Sequence, residues 1–282
     1  MKYRHWKHIF IAILTMLYLA WVLVPTANLI FTTFKLPKEV MTSNWHLFPK
    51  ERWVMKNYQD IWKIVPLARY LKSSLIISLS TMIVAVILSA FAGYALSRFT
   101  FRGKRLFEGS VLLTQSFPGI LFLLPYYLLF IWLERLIGIE IQGTYASLIF
   151  TYSTFSLPFC LLLMKSYFDS IPKDIEEAAM IDGCSPMSAF FRVVVPLTIP
   201  AVTAVGILGF IRAWNDVMFA SVLTNEKTRT VAIGINDYAS QFEVQWHYVL
   251  TAGVVVSIPV VIFFILLQKH IVQGLTAGAI KG

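Results

Sequence analysis

The chain has 282 residues, 57% of them hydrophobic and only 14% charged, with a mean hydropathy of +0.70. A soluble globular domain carries about 25% charged residues, so that class is excluded and a polytopic membrane protein is expected. The net charge of +9 sits on Lys and Arg at the ends of apolar runs. That placement suits anionic lipid headgroups and topology control, and it is not a nucleic-acid signal.

The start, Met1-Lys2-Tyr3-Arg4-His5-Trp6-Lys7-His8, is basic and precedes an apolar run from Ile9 to about Phe31. The run is too long for a cleaved signal peptide, so it reads as a retained first helix. Six spans are expected, at about 9–31, 73–97, 109–133, 146–164, 200–223 and 249–268. Each is long enough to cross roughly 30 Å of hydrocarbon as a helix. The apolar residues run continuously and do not alternate, which argues against strands. Pro118, Pro125, Pro158 and Pro259 fall inside spans. The expected fold class is all-α, one transmembrane domain over 1–282.

Six spans place both termini on one side. Total Lys/Arg counts do not choose the side: 12 for the terminal side against 11, with Arg212 inside span five. The long loop 32–72 causes the tie, with Lys35, Lys38, Lys50, Arg52, Lys56, Lys63, Arg69 and Lys72. Short loops decide better. Ser97–Glu108 holds Arg98, Arg102, Lys104 and Arg105, whereas Glu134–Tyr145 holds only Arg135. Both termini are therefore expected in the cytoplasm, together with the polar stretch between spans four and five.

Two outer loops are aromatic: Trp45, Phe48, Trp53, Tyr58, Trp62 and Tyr70 in 32–72, and Tyr238, Phe242, Trp246 and Tyr248 in 224–248. Headgroup-level belts explain most of them; a small outer cap or a docking surface is the alternative. Cys160 lies in a span and Cys184 in the polar loop, which reads as two inert thiols. There is no C-x-x-C metal spacing. His5, His8, His46, His247 and His270 are expected outside the spans, with no metal site.

The polar stretch Ile171–Pro186 carries four of the chain's 15 acidic residues. Pro172 suits a first helical turn, with Asp174, Glu176 and Glu177 near the positive end of the helix dipole. Ile175, Ala178, Ala179 and Asp182 share one face at helical spacing, and the alanines keep that face shallow. Gly183 suits the left-handed stop, and Ser185 with Pro186 starts a second helix. That helix runs past Phe190, Phe191 and Arg192, and Pro196 and Pro200 turn the chain into span five. A helix–turn–helix on the cytoplasmic face is expected. On these residues alone, a solvated connection with ordinary caps remains an equal reading.

Glu177-Ala178-Ala179, Gly183 and Val193-x-Val195-Pro196 resemble the EAA loop of membrane subunits of ATP-binding-cassette importers. Val stands where the family has Ile and Leu, which keeps the apolar face. Asn57-Tyr58, Gly93-Tyr94-Ala95-Leu96-Ser97-Arg98, Ala213-Trp214-Asn215-Asp216 and the tail Gln273–Gly282 resemble the carbohydrate branch, the MalG-like permeases. The resemblance implies a type I (MetI-like) importer fold. It implies a coupling helix docking on a dimer of ATPase subunits through Glu177, Ala178, Ala179, Asp182, Gly183 and Pro196. It also implies a second, MalF-like permease, an external sugar-binding protein, and a bacterial or archaeal cell membrane.

The chain lacks G-x-x-x-x-G-K-[ST], since Gly103-Lys104-Arg105 has neither the upstream Gly nor the hydroxyl. No ATPase site of its own is expected, nor any cofactor; ATP and Mg belong to the partner chain. The charges inside span five are Arg212 and Asp216, spaced for an i,i+4 ion pair. Charges at that depth face a bundle interior or a watery cavity. With Trp214 and Asn215 they are the substrate-pathway candidates, a structural pair being the alternative. The expected function is an importer permease for a sugar or oligosaccharide. An importer for another solute and an ion-coupled secondary transporter stand as alternatives. A membrane-embedded enzyme lacks its catalytic cluster.

Overall fold

A computed structural model describes residues 2–42, 46–239 and 245–279, with side chains described between Trp6 and Lys269. Trp45, Phe242 and the last three residues of the tail motif lie outside the described residues. The helices run α1 (Lys2–Thr32), α2 (Pro37–Val40), α3 (Lys56–Ile64), α4 (Leu67–Arg98), α5 (Lys104–Thr114), α6 (Leu123–Ile137) and α7 (Tyr145–Ser170). They continue with α8 (Lys173–Ile181), α9 (Pro186–Ala189), α10 (Val195–Leu197), α11 (Ile199–Asn215), α12 (Met218–Leu223), α13 (Val231–Ala239) and α14 (Trp246–Ala279). No strand occurs among the described residues. Two compact units result, 1–67 with 235–258, and 68–234 with 259–282.

In the first unit, none of the apolar window of α1 is buried. A helix whose apolar stretch is left uncovered is built for hydrocarbon, and only its last turns meet a neighbour, Phe31 packing against Phe48 and Trp53. After it, the aromatic loop folds into a small cap. Asn57 Nδ2 donates to the Thr33 carbonyl at 2.7 Å, and the Thr33 and Tyr58 hydroxyls meet at 2.8 Å. Phe34 packs against Trp53 and Tyr58, with ring centroids 5.4 and 5.3 Å away. Glu39 accepts from the Lys50 and Glu51 amides and pairs with the His46 ring at 3.2 Å. Burial pushes the Glu39 carboxyl up, but these partners outweigh it and hold the carboxyl below its ordinary range. His8 lies at the start of the apolar part of α1, and His247, which is buried, in the first turn of α14; the helices run past the expected span ends at 9 and 249.

The second unit holds two cores. One joins Ile77, Phe130, Tyr152, Phe219 and Leu223. The other joins Ala85, Met164, Phe168, Phe190, Val194 and Val205. In lipid, apolar contact alone gives helices no reason to associate, so close packing and small residues must do it. Gly93 shows the closeness: a Cβ there would lie 2.9 Å from Met164 Cβ and 3.0 Å from the Lys165 nitrogen.

Among the described residues, five helices are long and apolar enough to span alone, up to six if the bent pair Pro186–Leu197 and Ile199–Asn215 counts as one span. Two expected spans need correction. The third is not continuous over 109–133: α5 stops at Thr114, and a short 3₁₀ turn at Gly119–Phe122 leads into α6. Pro118 has no N–H to give and disfavours the helical conformation at Phe117. The apolar span is Gly119–Ile137, and Pro125 sits in the first turn of α6, where a proline does no harm. The fifth span is not continuous over 200–223 either, because α11 ends at Asn215 and α12 begins at Met218.

Candidate functional site

The loop between α7 and α11 begins where Pro172 forbids helix at Ile171, whose backbone is extended (φ −88°, ψ 120°). Pro172 flanks α8 and is not its first residue, since the helix starts at Lys173. Consecutive acids then take opposite roles. Glu177 is exposed, but Glu176 turns inward and is buried. Arg98, at the end of α4, donates Nε to Glu176 Oε2 at 2.8 Å, and the two side chains are 8% and 9% exposed. The Tyr94 hydroxyl donates to the other Glu176 oxygen. The rest of the Arg98 fork donates to the Phe168 carbonyl at 2.9 Å and the Ile171 carbonyl at 3.3 Å. Those carbonyls lie at the end of α7, where the helix runs out of its own donors; the Phe168 carbonyl also accepts the Ile171 amide at 3.1 Å. Nearby, Ser97 donates to Asp169 at 2.6 Å, and Lys165 bridges Asp169 at 3.0 Å and Glu108 at 3.6 Å.

α8 ends as its sequence dictates. The Gly183 amide donates to the Met180 carbonyl at 3.1 Å and the Cys184 amide to Ala179 at 3.0 Å. This double bond pattern needs a left-handed residue between them, and Gly183 supplies it at φ +95°. Ser185 then caps α9, accepting from the Ser188 amide at 3.3 Å. A π-helical turn, Phe190–Val194, carries the chain into α10. There Pro196 withholds the amide that an α-helix would use. Phe190 anchors this half, 4.6 Å from Tyr94 and 6.3 Å from Phe168 between centroids. The chain then bends by 76° into α11.

The loop thus has an inner face bound to α4 and α7, and an outer face. The outer face of α8 shows Ile175, Glu177, Ala178, Ile181 and Asp182, with Ile181 86% exposed. Ala179 is half-buried, so the two alanines do not share one surface equally. Pro196 is exposed at the far end of the loop. Glu177, Ala178, Asp182 and Gly183 therefore lie together on open surface, with an apolar neighbour.

The four residues of span five separate. Asp216 has an extended backbone, and its Oδ1 accepts the Tyr152 hydroxyl at 2.9 Å and the Phe219 and Ala220 amides at 2.9 and 3.3 Å. It caps α12 and does not pair with Arg212. Helical spacing has no meaning once the helix has ended between the two. Arg212 instead lies over the Phe155 ring at 5.4 Å. Trp214 is buried, 5.3 Å from the Phe210 ring. Arg212 and Asn215, three residues apart on α11, are both exposed. The Phe155 ring under Arg212 in turn lies 5.6 Å from that of Phe122, at the break in the third span. Among the described residues no three His, Cys, Asp or Glu side chains gather as a metal site.

The residues that sequence reasoning missed are Tyr94 and Arg98 as partners of Glu176. The available signal was an Arg at the end of α4 and an acid, Glu176, next to the E-A-A acid Glu177 on α8.

Residues 85–277 match the family model described as binding-protein-dependent transport system inner membrane component. The chain is 40% identical over 229 residues to the trehalose transport system permease protein SugB of Mycobacterium tuberculosis, covering 80% of this chain and 81% of that one. It is 41% identical over 215 residues to the trehalose/maltose transport system permease protein MalG of Thermococcus litoralis, covering 76% and 75%. A solved bacterial ABC transporter for import of the acidic polysaccharide alginate superposes with a TM-score of 0.78 at 21% identity, over 95% of this chain and 98% of that one. That likeness carries the fold.

Proposed function

The chain belongs to the family of binding-protein-dependent transport system inner membrane components, and on that premise we propose that it is one permease subunit of an ATP-driven importer for a sugar or oligosaccharide. The carrying observation is α8, bound from within through Glu176 and bare on its outer face at Glu177, Ala178, Ile181 and Asp182. A shallow helix rimmed with carboxylates fits a groove on a separate ATPase subunit that hydrolyses MgATP. On this reading the loop and both termini are cytoplasmic. A second permease completes the pathway, and an external binding protein delivers the solute. The sugar class rests on the trehalose and trehalose/maltose systems to which SugB and MalG belong.

The mechanism is alternating access. Closure of the ATPase dimer displaces α8, and the spans switch the side to which they open. The switch requires contacts at α8 that differ between the two states. Arg212, over the Phe155 ring, and Asn215 are exposed on α11 and offer hydrogen-bond donors and a flat surface to a passing sugar. A charge exposed on a spanning helix also needs water or a partner, which a pathway supplies.

Reconstitution in proteoliposomes with the second permease, the ATPase subunit and the binding protein tests the reading. Radiolabelled saccharides, trehalose and maltose first, should accumulate only with ATP inside and binding protein outside, and a protonophore should not stop them. Uptake that continues without ATP and collapses with the ion gradient would overturn it.

A further inference from the structure

α8 is joined to α7 only through Ile171 and Pro172, whose backbone is extended. Two non-helical residues would act as a hinge, and a push on α8 would be lost in bending it. Arg98 spans that joint. Its fork reaches the Phe168 carbonyl on the α7 side, the Ile171 carbonyl in the joint and the Glu176 carboxylate on α8. Its own backbone belongs to α4, 78 residues away in sequence from Glu176. Tyr94, one turn earlier on α4, holds the second oxygen of the same carboxylate. We propose that Arg98 is the positioning residue that locks the α7–α8 joint, so that movement of α8 is delivered to α4 and α7 as one body.

Three features support a clamp rather than an incidental ion pair. Both side chains are nearly out of reach of solvent, so salt does not screen them as it does a surface pair. The planar fork of Arg can bind three acceptors in fixed directions, which a Lys cannot. A second connection, from Ser97 to Asp169 and through Lys165 to Glu108, ties α5 to the same body. No residue of the clamp belongs to the exposed face of α8, so its role is distinct from docking.

The inference rests on α8 being the ATPase contact, and its test keeps the two apart. Arg98→Lys, Glu176→Gln and Tyr94→Phe would be placed in the full reconstituted complex. Co-purification with the ATPase subunit, basal ATP hydrolysis, and trehalose or maltose moved per ATP would be measured. Arg98→Lys and Glu176→Gln should assemble normally and keep basal hydrolysis within about twofold, while solute moved per ATP falls about five- to tenfold, the low end of typical couplings between sites. Tyr94→Phe should fall less. Unchanged solute per ATP in Arg98→Lys and Glu176→Gln overturns the clamp. Uptake and hydrolysis declining in proportion overturns it too, since that is the mark of lost structure. If Arg98→Lys fails to assemble, Glu176→Gln decides, because it preserves volume and hydrogen-bond acceptor. A wild-type complex without ATP-dependent uptake overturns the functional reading itself, and variants that match an active wild type overturn only the clamp.

Discussion

Two Arg–acid combinations in this molecule, Arg98 with Glu176 and Arg212 with Asp216, behave in opposite ways. Arg98 and Glu176 are far apart in sequence, yet form a buried contact, Nε to Oε2 at 2.8 Å. Arg212 and Asp216 are four residues apart and do not pair, because α11 stops between them and Asp216 caps the next helix. The difference teaches what spacing measures. It reports proximity only while one helix continues, and it is silent on contacts that two helices make by folding together. It also shows two uses of a charge near a membrane: one fixes a joint, the other leaves its Arg on open surface.

The largest effect should come from breaking the first pair outright. Arg98→Ala leaves Glu176 buried without its counter-charge and removes donors from two terminal carbonyls. Removing one partner of a buried pair costs about 3–5 kcal/mol, so the detergent-solubilised chain should unfold at clearly lower denaturant or temperature. A shift no larger than that of an exposed pair, such as Lys38–Glu51, would show that Arg98 is dispensable.

Gly183 offers a smaller and more selective test on the same loop. Nothing lies within 4 Å of a Cβ built there, so a side chain meets no clash and only the φ of +95° resists it. The left-handed conformation costs a residue with a Cβ roughly 1–2 kcal/mol, and Asn tolerates it best. Gly183→Val should therefore loosen the turn between α8 and α9 and reduce uptake per ATP, with Gly183→Asn affected less. Equal effects of Val and Asn would mean that docking space, rather than backbone conformation, matters at this position.

Much of the loop was legible in sequence because its determinants are local. Gly183 as the left-handed stop, Ser185 as cap and the turn at Pro196 and Pro200 each depend on neighbours within a few residues. The helices α1, α4, α7 and α14 run past both ends of their apolar stretches, since continuous apolarity marks a helix well and its ends poorly. The two breaks were hidden because apolarity does not fall across them. Pro118 after a polar Thr114-Gln115-Ser116, and Asn215-Asp216 before a short apolar run, were signals of turn and cap chemistry inside runs read for hydropathy alone. The Tyr94–Arg98–Glu176 contact was illegible for a different reason: it depends on how closely α4 packs on α7, which Gly93 permits but no spacing announces.

The second pair gives the smallest and most discriminating prediction. If Asp216 acts as a cap, Asp216→Ala should cost about 1 kcal/mol or somewhat more, since it also removes the acceptor of the buried Tyr152 hydroxyl. Asp216→Asn should recover most of that loss, because an amide oxygen still accepts from the Phe219 and Ala220 amides. Arg212→Gln should change stability by less than about 1 kcal/mol, the scale of an exposed contact with a ring. The double variant should be additive within about 0.5 kcal/mol, as for residues that share no partner. A coupling well above that would restore the ion pair. Arg212→Gln should show itself in transport instead, as a raised KM for the accumulated saccharide with ATP hydrolysis retained. If KM does not move, Arg212 is not part of the pathway, and its exposed charge must be met by another subunit.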